Sequence, residues 1–112
     1  MATAEFAVAI PATVLMLVVS LSALTTVWDQ VRCTDAARAT ARLLARGDAS
    51  VAAVSQGREL APPNAQIAVL AGAGSVEVTV TGHPARPLAW MGARAVPRGR
   101  AVAALESDGE AP

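Results

Sequence analysis

The sequence predicts an α+β fold: a long N-terminal helix whose first part is transmembrane, then a small helix and an antiparallel sheet of two or three strands. Three observations predict it. Glu5 is followed by residues 6–28 without one charged side chain. Residues 29–46 contain neither Gly nor Pro. Val76-Glu77-Val78-Thr79-Val80-Thr81 alternates strictly between apolar and polar side chains, the pattern of a half-buried strand. The chain divides accordingly into a transmembrane helix (1–28), its extramembrane continuation (29–46), a small α+β head (47–106) and a polar, disordered tail (107–112).

The first helix rests on length and composition. At about 1.5 Å per residue, the uncharged run reaches roughly 34 Å, enough to cross a hydrocarbon core of about 30 Å. Val8, Ile10, Val14, Leu15, Met16, Leu17, Val18, Val19, Leu21 and Leu24 dominate it, while Ser20, Ser22, Thr25 and Thr26 can return their hydroxyls to the helix's own carbonyls. Trp28 stands where an interfacial aromatic would, with Asp29 and Arg32 beyond it in water. Pro11 has no N–H for the carbonyl of Ala7, which predicts a bend or a loosened turn. Ala7, Ala9 and Ala12 around it permit close helix approach.

Past Trp28 the helix continues with two stripes. Cys33, Ala37, Ala41 and Leu44 recur at spacings of three or four and define a narrow apolar face. Arg38, Arg42 and Arg46 form a cationic row read as a solvated face, with Asp35 in reach of Arg38. Gly47 is a C-terminal stop and Asp48 an N-cap for the next helix, so the rod should end near Arg46 after roughly 65 Å.

In the head, residues 48–60 predict a second helix with Val51, Val54 and Leu60 inward, ended by Pro62-Pro63-Asn64. Residues 66–71 predict a strand, Gly72-Ala73-Gly74-Ser75 a hairpin turn and residues 76–81 its partner, with Val76, Val78 and Val80 toward the helix and Glu77, Thr79 and Thr81 toward water. Residues 82–87 form a loop. Residues 88–91 either cover the open end of the core or touch a partner or the membrane surface, with Trp90-Met91 read as a buried anchor. A third strand is expected over 100–106, Val102 and Ala104 sharing a face.

Composition limits the chemistry. About eighty residues outside the apolar run can build one small domain, too small for a deep enzyme cleft. Formal net charge is zero with nine cations, all Arg, so nothing favours nucleic acid as a partner. A single cysteine, Cys33, excludes an intramolecular disulfide and a cysteine-based metal site. It reads as a small apolar residue on the stripe; in an oxidising compartment it could instead form an intermolecular disulfide. His83 is the sole histidine and lies in a Pro-rich loop without a relay pattern, and Gly72-Ala73-Gly74 lacks the third Gly and the Lys of phosphate loops. No catalytic residue, metal, cofactor or enzymatic activity is expected.

A cleaved signal peptide would need a basic n-region and an apolar stretch of about 7 to 15 residues. Nothing before Phe6 is basic, and the uncharged run is too long. Arg counting points the other way from an external head, because Arg32, Arg38, Arg42 and Arg46 all follow the helix. A short basic leader before Met1, removed on maturation or lost to a start codon assigned too late, resolves that conflict.

Met1-Ala2-Thr3-Ala4-Glu5-Phe6 followed by an apolar helix resembles the mature N-terminus of type IV pilins. Residues 4–12, Ala-Glu-Phe-Ala-Val-Ala-Ile-Pro-Ala, together with Arg32-Cys33-Thr34-Asp35-Ala36-Ala37-Arg38-Ala39, resemble the TadE-like minor pilins of the tight-adherence (Flp) pilus system, actinobacterial members in particular. The likeness covers the first forty-seven or so residues and departs from the pattern in having no Gly before Met1. It implies a pilin-like subunit or assembly factor of the pilus or a related type II-like secretion apparatus, anchored once in the cytoplasmic membrane with its head outside, at the cell surface or in a pilus. The implied partners are other pilin-like subunits, the assembly machinery, membrane lipid and, if a leader exists, prepilin peptidase. Met1, Glu5 and Phe6 would serve processing and assembly, the Glu5 carboxylate meeting the α-amino group of a neighbour's Met1. Pro11 would let the helix bend as subunits leave the bilayer. The alternatives stay open: Glu5 as a first-turn acid favoured by about 0.3 to 1 kcal/mol, Pro11 as a tolerated membrane proline, and the whole chain as a single-pass signal anchor with a partner-binding regulatory or sensory head.

Overall fold

A helix longer than any other element organises the molecule. The computed structural model describes residues 2–105, in which α1 (Ala2–Ala45) is followed by α2 (Ser50–Leu60), β1 (Gln66–Gly72), β2 (Ser75–Thr81), a pair of 3₁₀ turns (Arg86–Ala95) and β3 (Arg98–Ala104). The overall extents, 82 × 21 × 17 Å, are those of a rod with a head along one end. Met1 and the proposed tail at 107–112 lie outside the described residues, as does Glu106 of the expected third strand.

α1 runs unbroken through Pro11. Thr13, Thr25 and Thr26 donate their hydroxyls to the carbonyls of Ala9, Leu21 and Ser22 at 2.8, 3.0 and 2.9 Å, as the sequence predicts for the last two. The helix stops where Gly47 allows it. Gly47 takes φ 91°, its N–H donates to the Leu44 carbonyl and that of Asp48 to the Leu43 carbonyl, the paired bonds of a Schellman turn.

The sheet is a meander of order β1-β2-β3, antiparallel throughout. Val76, Val78 and Val80 are at most 2 % exposed and face Cys33, Ala36, Ala37 and Ala41 of α1, as the alternation requires. Register puts Val69 and Ala101 beside Val78, and Ile67 and Gly99 beside Val80, completing the inner face. β3 sits directly on the helix: a Cβ at Gly99 would lie 2.3 Å from the Cys33 carbonyl carbon and 2.3 Å from the Thr34 nitrogen. Only a residue without a side chain fits that approach.

Four expectations need correction. α2 begins at Ser50, and its N-cap Ala49 makes no side-chain bond; Asp48 instead accepts from Arg46 at 3.3 Å. The inward residues of α2 are Ala53 and Gly57, whereas Val51 is 85 % and Leu60 45 % exposed and Val54 only half-buried. The reason is distance, because the two helices approach so closely that an added Cβ on Gly57 would meet Thr40 Oγ1 at 2.0 Å, leaving no room for larger side chains. β3 runs from Arg98 to Ala104 rather than from residue 100; Val102 and Ala104 share a face as expected, the outer one, while Gly99, Ala101 and Ala103 point inward. Trp90 is no buried anchor. It is 81 % exposed, and Leu88 and Ala95 close the core in its place.

Candidate functional site

The distinctive surface is the apolar half of α1. In its most apolar window no residue is buried, and Phe6, Ile10, Leu15, Met16 and Leu24 are each more than 60 % exposed. This helix is long and apolar enough to cross a membrane. Its apolar side chains surround the axis rather than forming one stripe, as expected when the surroundings are equally apolar on all sides. Glu5, in the first turn, is the one charged group among residues 2–28. It is exposed, next to exposed Phe6 and about 1.7 turns from Pro11.

Cys33 belongs elsewhere. It lies twenty-eight positions after Glu5, about 42 Å along the axis, so the predicted site residues are not gathered into one place. Its side chain is fully enclosed, and the thiol lies 3.8 Å from the Pro97 carbonyl. Burial, aided by the negative charge of Asp29, pushes the thiol above its ordinary pKa. Cys33 is thus packed as a small apolar residue, and the intermolecular disulfide considered from the sequence would require the head to open.

The Arg32–Ala39 stretch is where the head is fastened. Arg32 donates to the carbonyls of Ala61 at 2.9 Å and Leu60 at 3.3 Å, satisfying the end of α2. Gln30 grips the backbone of Arg98 from both sides, donating to its carbonyl and accepting from its N–H at 2.8 Å. Ala36 and Ala37 are fully buried under the head. Arg38, Arg42 and Arg46 are exposed as predicted; Asp35 and Arg38 form no ion pair among the described residues. Sequence reading missed Gln30, Arg32, Gly57 and Gly99 as fastening residues. The Ala53-x-x-x-Gly57 spacing was the available sign of a close helix contact.

The outer sheet face carries one ion pair, Arg100 to Glu77 at 2.8 Å, which holds the Glu77 carboxyl below the usual carboxylate range. A groove of about 530 Å³ runs between α1 and α2, lined by Ala39, Arg42, Leu43, Arg46, Gln56 and Glu59. It is open and holds no pair of groups arranged for acid–base or nucleophilic work. No cluster of three or more His, Cys, Asp or Glu suited to a metal occurs among the described residues.

No family model and no solved structure matches the chain. Among curated proteins it is similar to the Apoptosis inhibitor Rv3655c of Mycobacterium tuberculosis, with 47% identity over 79 residues. The match takes in 70% of this chain and 62% of that protein, so the chain spans less than two thirds of the length of the relative it matches.

Proposed function

We propose that the chain is a pilin-like membrane subunit: a minor structural component or assembly factor of a tight-adherence type IV pilus or a related type II-like secretion apparatus. In this reading it crosses the cytoplasmic membrane once, with the head outside. The observation that carries it is an apolar rod, exposed throughout its most apolar window and bearing one carboxylate at its tip, with the core of the head packed along its far half. Such a rod needs lipid or other rods around it, since apolar area left in water costs about 25 cal/mol per Å². Both are supplied in sequence when a subunit first resides in the bilayer and then packs lengthwise beside its neighbours.

Glu5 then serves recognition. A carboxylate at the edge of a bilayer is costly unless paired. The α-amino group of a neighbouring subunit's first residue, exposed once prepilin peptidase has removed a leader, offers the partner. Membrane lipid and the assembly machinery complete the set of contacts, and no step involves nucleic acid, a cofactor or catalysis. Replacing Glu5→Gln keeps shape and removes charge. Membrane insertion, read by carbonate extraction, should be unchanged while incorporation into the organelle falls; normal incorporation of the Gln variant would refute the assignment.

A second reading is favoured by the identity to a protein named as an apoptosis inhibitor: the rod as a plain anchor and the head as the part that meets a regulatory partner. The two separate on the same variant. A partner-binding head is indifferent to Glu5, about 42 Å away along the helix from the head's first buried residue.

A further inference from the structure

We infer that the end of the head nearest the apolar rod, built around Arg86, Trp90, Met91, Arg94 and Arg98, is a docking surface for an anionic lipid bilayer. The inference rests on the membrane reading above and adds a second point of contact to it.

Position comes first. The loop between β2 and β3 is tied to α1 just beyond the apolar run: Gln30 holds the Arg98 backbone, and the Cys33 thiol lies against the Pro97 carbonyl. Trp28 and Gln30 are two residues apart, about 3 Å along the axis. The polar layer on each side of a hydrocarbon core is about 5 to 8 Å thick. If residues 6–28 fill the core, whatever is fastened to Gln30 stands in the headgroup layer.

Chemistry fits that place. From Gly82 to Leu105 the chain carries His83, Arg86, Arg94, Arg98 and Arg100 and not one acid. Arg100 is committed to Glu77, but Arg86, Arg94 and Arg98 are exposed and without an ion-pair partner among the described residues. Asp29, next to Gln30 on α1, is the acid nearest this attachment in sequence. Between the arginines the segment turns outward. Leu88 and Ala95 are 6 % and 3 % exposed and hold its base, Gly92 reverses the backbone at φ 61°, and Trp90 and Met91 at the tip are 81 % and 37 % exposed. Trp at a membrane–water interface keeps its ring in the apolar boundary and its N–H among headgroups. Arg side chains beside it meet phosphate with paired donors. With Trp28, also exposed at 65 %, the head would rest on the membrane through two indoles flanked by guanidiniums.

The chain has two tryptophans, Trp28 and Trp90, so each can be read alone in the full-length protein. Trp28→Phe and Trp90→Phe variants are reconstituted into phosphatidylcholine vesicles with or without phosphatidylglycerol, with brominated acyl chains as quenchers and acrylamide as the aqueous probe. Expected for Trp90 in anionic vesicles are a blue-shifted emission, quenching by shallow bromines and protection from acrylamide. These effects should weaken without phosphatidylglycerol and in Arg86→Gln, Arg94→Gln and Arg98→Gln, each change shifting the docked-to-undocked ratio by about fivefold. Trp28 quenched by lipid while Trp90 stays open to acrylamide overturns the docking surface and leaves the membrane helix standing. Trp90 protected from acrylamide but untouched by bromines also overturns it, in favour of a protein partner. Neither tryptophan quenched by lipid removes the membrane reading and this inference with it.

Discussion

Gly57→Ala, alone and with Thr40→Ala, tests whether α2 is held by close approach. A Cβ at Gly57 would lie 2.0 Å from Thr40 Oγ1 but 3.4 Å from Thr40 Cβ and 3.5 Å from the Ala36 carbonyl oxygen, the last two being ordinary contacts. Two effects oppose in the single variant. Removing a glycine from a helix interior gains about 1 kcal/mol, and forcing a methyl into a filled site costs about 1 to 3 kcal/mol. The clash wins, and Gly57→Ala should lose up to about 2 kcal/mol. Thr40 Oγ1 is buried with no hydrogen-bond partner, so Thr40→Ala relieves about 1 to 3 kcal/mol of unmet polarity while giving up about 0.8 kcal/mol of methyl burial. In the double variant the new methyl takes the place of the departed hydroxyl, and the protein should be at least as stable as the parent. Urea unfolding of the full chain in mild detergent, with the slope m unchanged, reads all four corners of the cycle. A coupling of about 2 kcal/mol is expected from the clash; effects that sum within about 0.5 kcal/mol would show that the helices do not meet there.

Gln30→Ala removes both bonds to the Arg98 backbone; it should cost about 1 to 2 kcal/mol and raise hydrogen exchange at the Arg98 amide above that at Val78. Glu77 has its folded pKa depressed by the hydrogen bond from Arg100, so the pair's contribution is present above the unfolded carboxylate value and fades as pH falls through the folded one. Carbon-detected titration of Glu77 should move up toward the ordinary range, near pH 4, in Arg100→Gln, and an unmoved midpoint would show the pair is not formed. For Cys33 the shift is upward, so its contribution is complete below the unfolded thiol's value, near pH 8.5, and is lost as pH rises toward the folded one. Alkylation of Cys33 at neutral pH should proceed only through opening of the head and accelerate with urea; labelling at the rate of a free thiol would contradict the packing.

Much of this architecture was legible because single residues forced it. Gly47 ended the rod, Val76, Val78 and Val80 could serve only one face, and the uncharged run was long and apolar enough for a membrane-spanning helix. What failed did so for one physical reason. Hydropathy assigns the inside to large side chains, which put Val51, Leu60 and Trp90 on the core list, yet all three are exposed. This core is made by backbones approaching over Ala36, Ala37, Ala53, Gly57 and Gly99. In a chain so rich in alanine an inward alanine looks like any other. Gln30 and Arg32 were hidden for a related reason: they bond to backbone groups far away in sequence, and no local pattern encodes a partner of that kind.

The two halves of α1 differ in what packs against them, and each kind of residue sits accordingly. In the first half large apolar side chains surround the axis, and Glu5 is the one charged group among residues 2–28. In water the same rod must offer one face, and it offers the smallest residues it has, from Cys33 to Ala45. Small residues bring α2 and β3 within backbone distance on adjoining flanks, at Gly57 and Gly99. Contacts that short have no slack for sliding, since a shift of one residue in β3 would put a side chain where Gly99 meets Cys33 and turn Val102 inward in place of Ala101 or Ala103. The head therefore keeps one register on the rod.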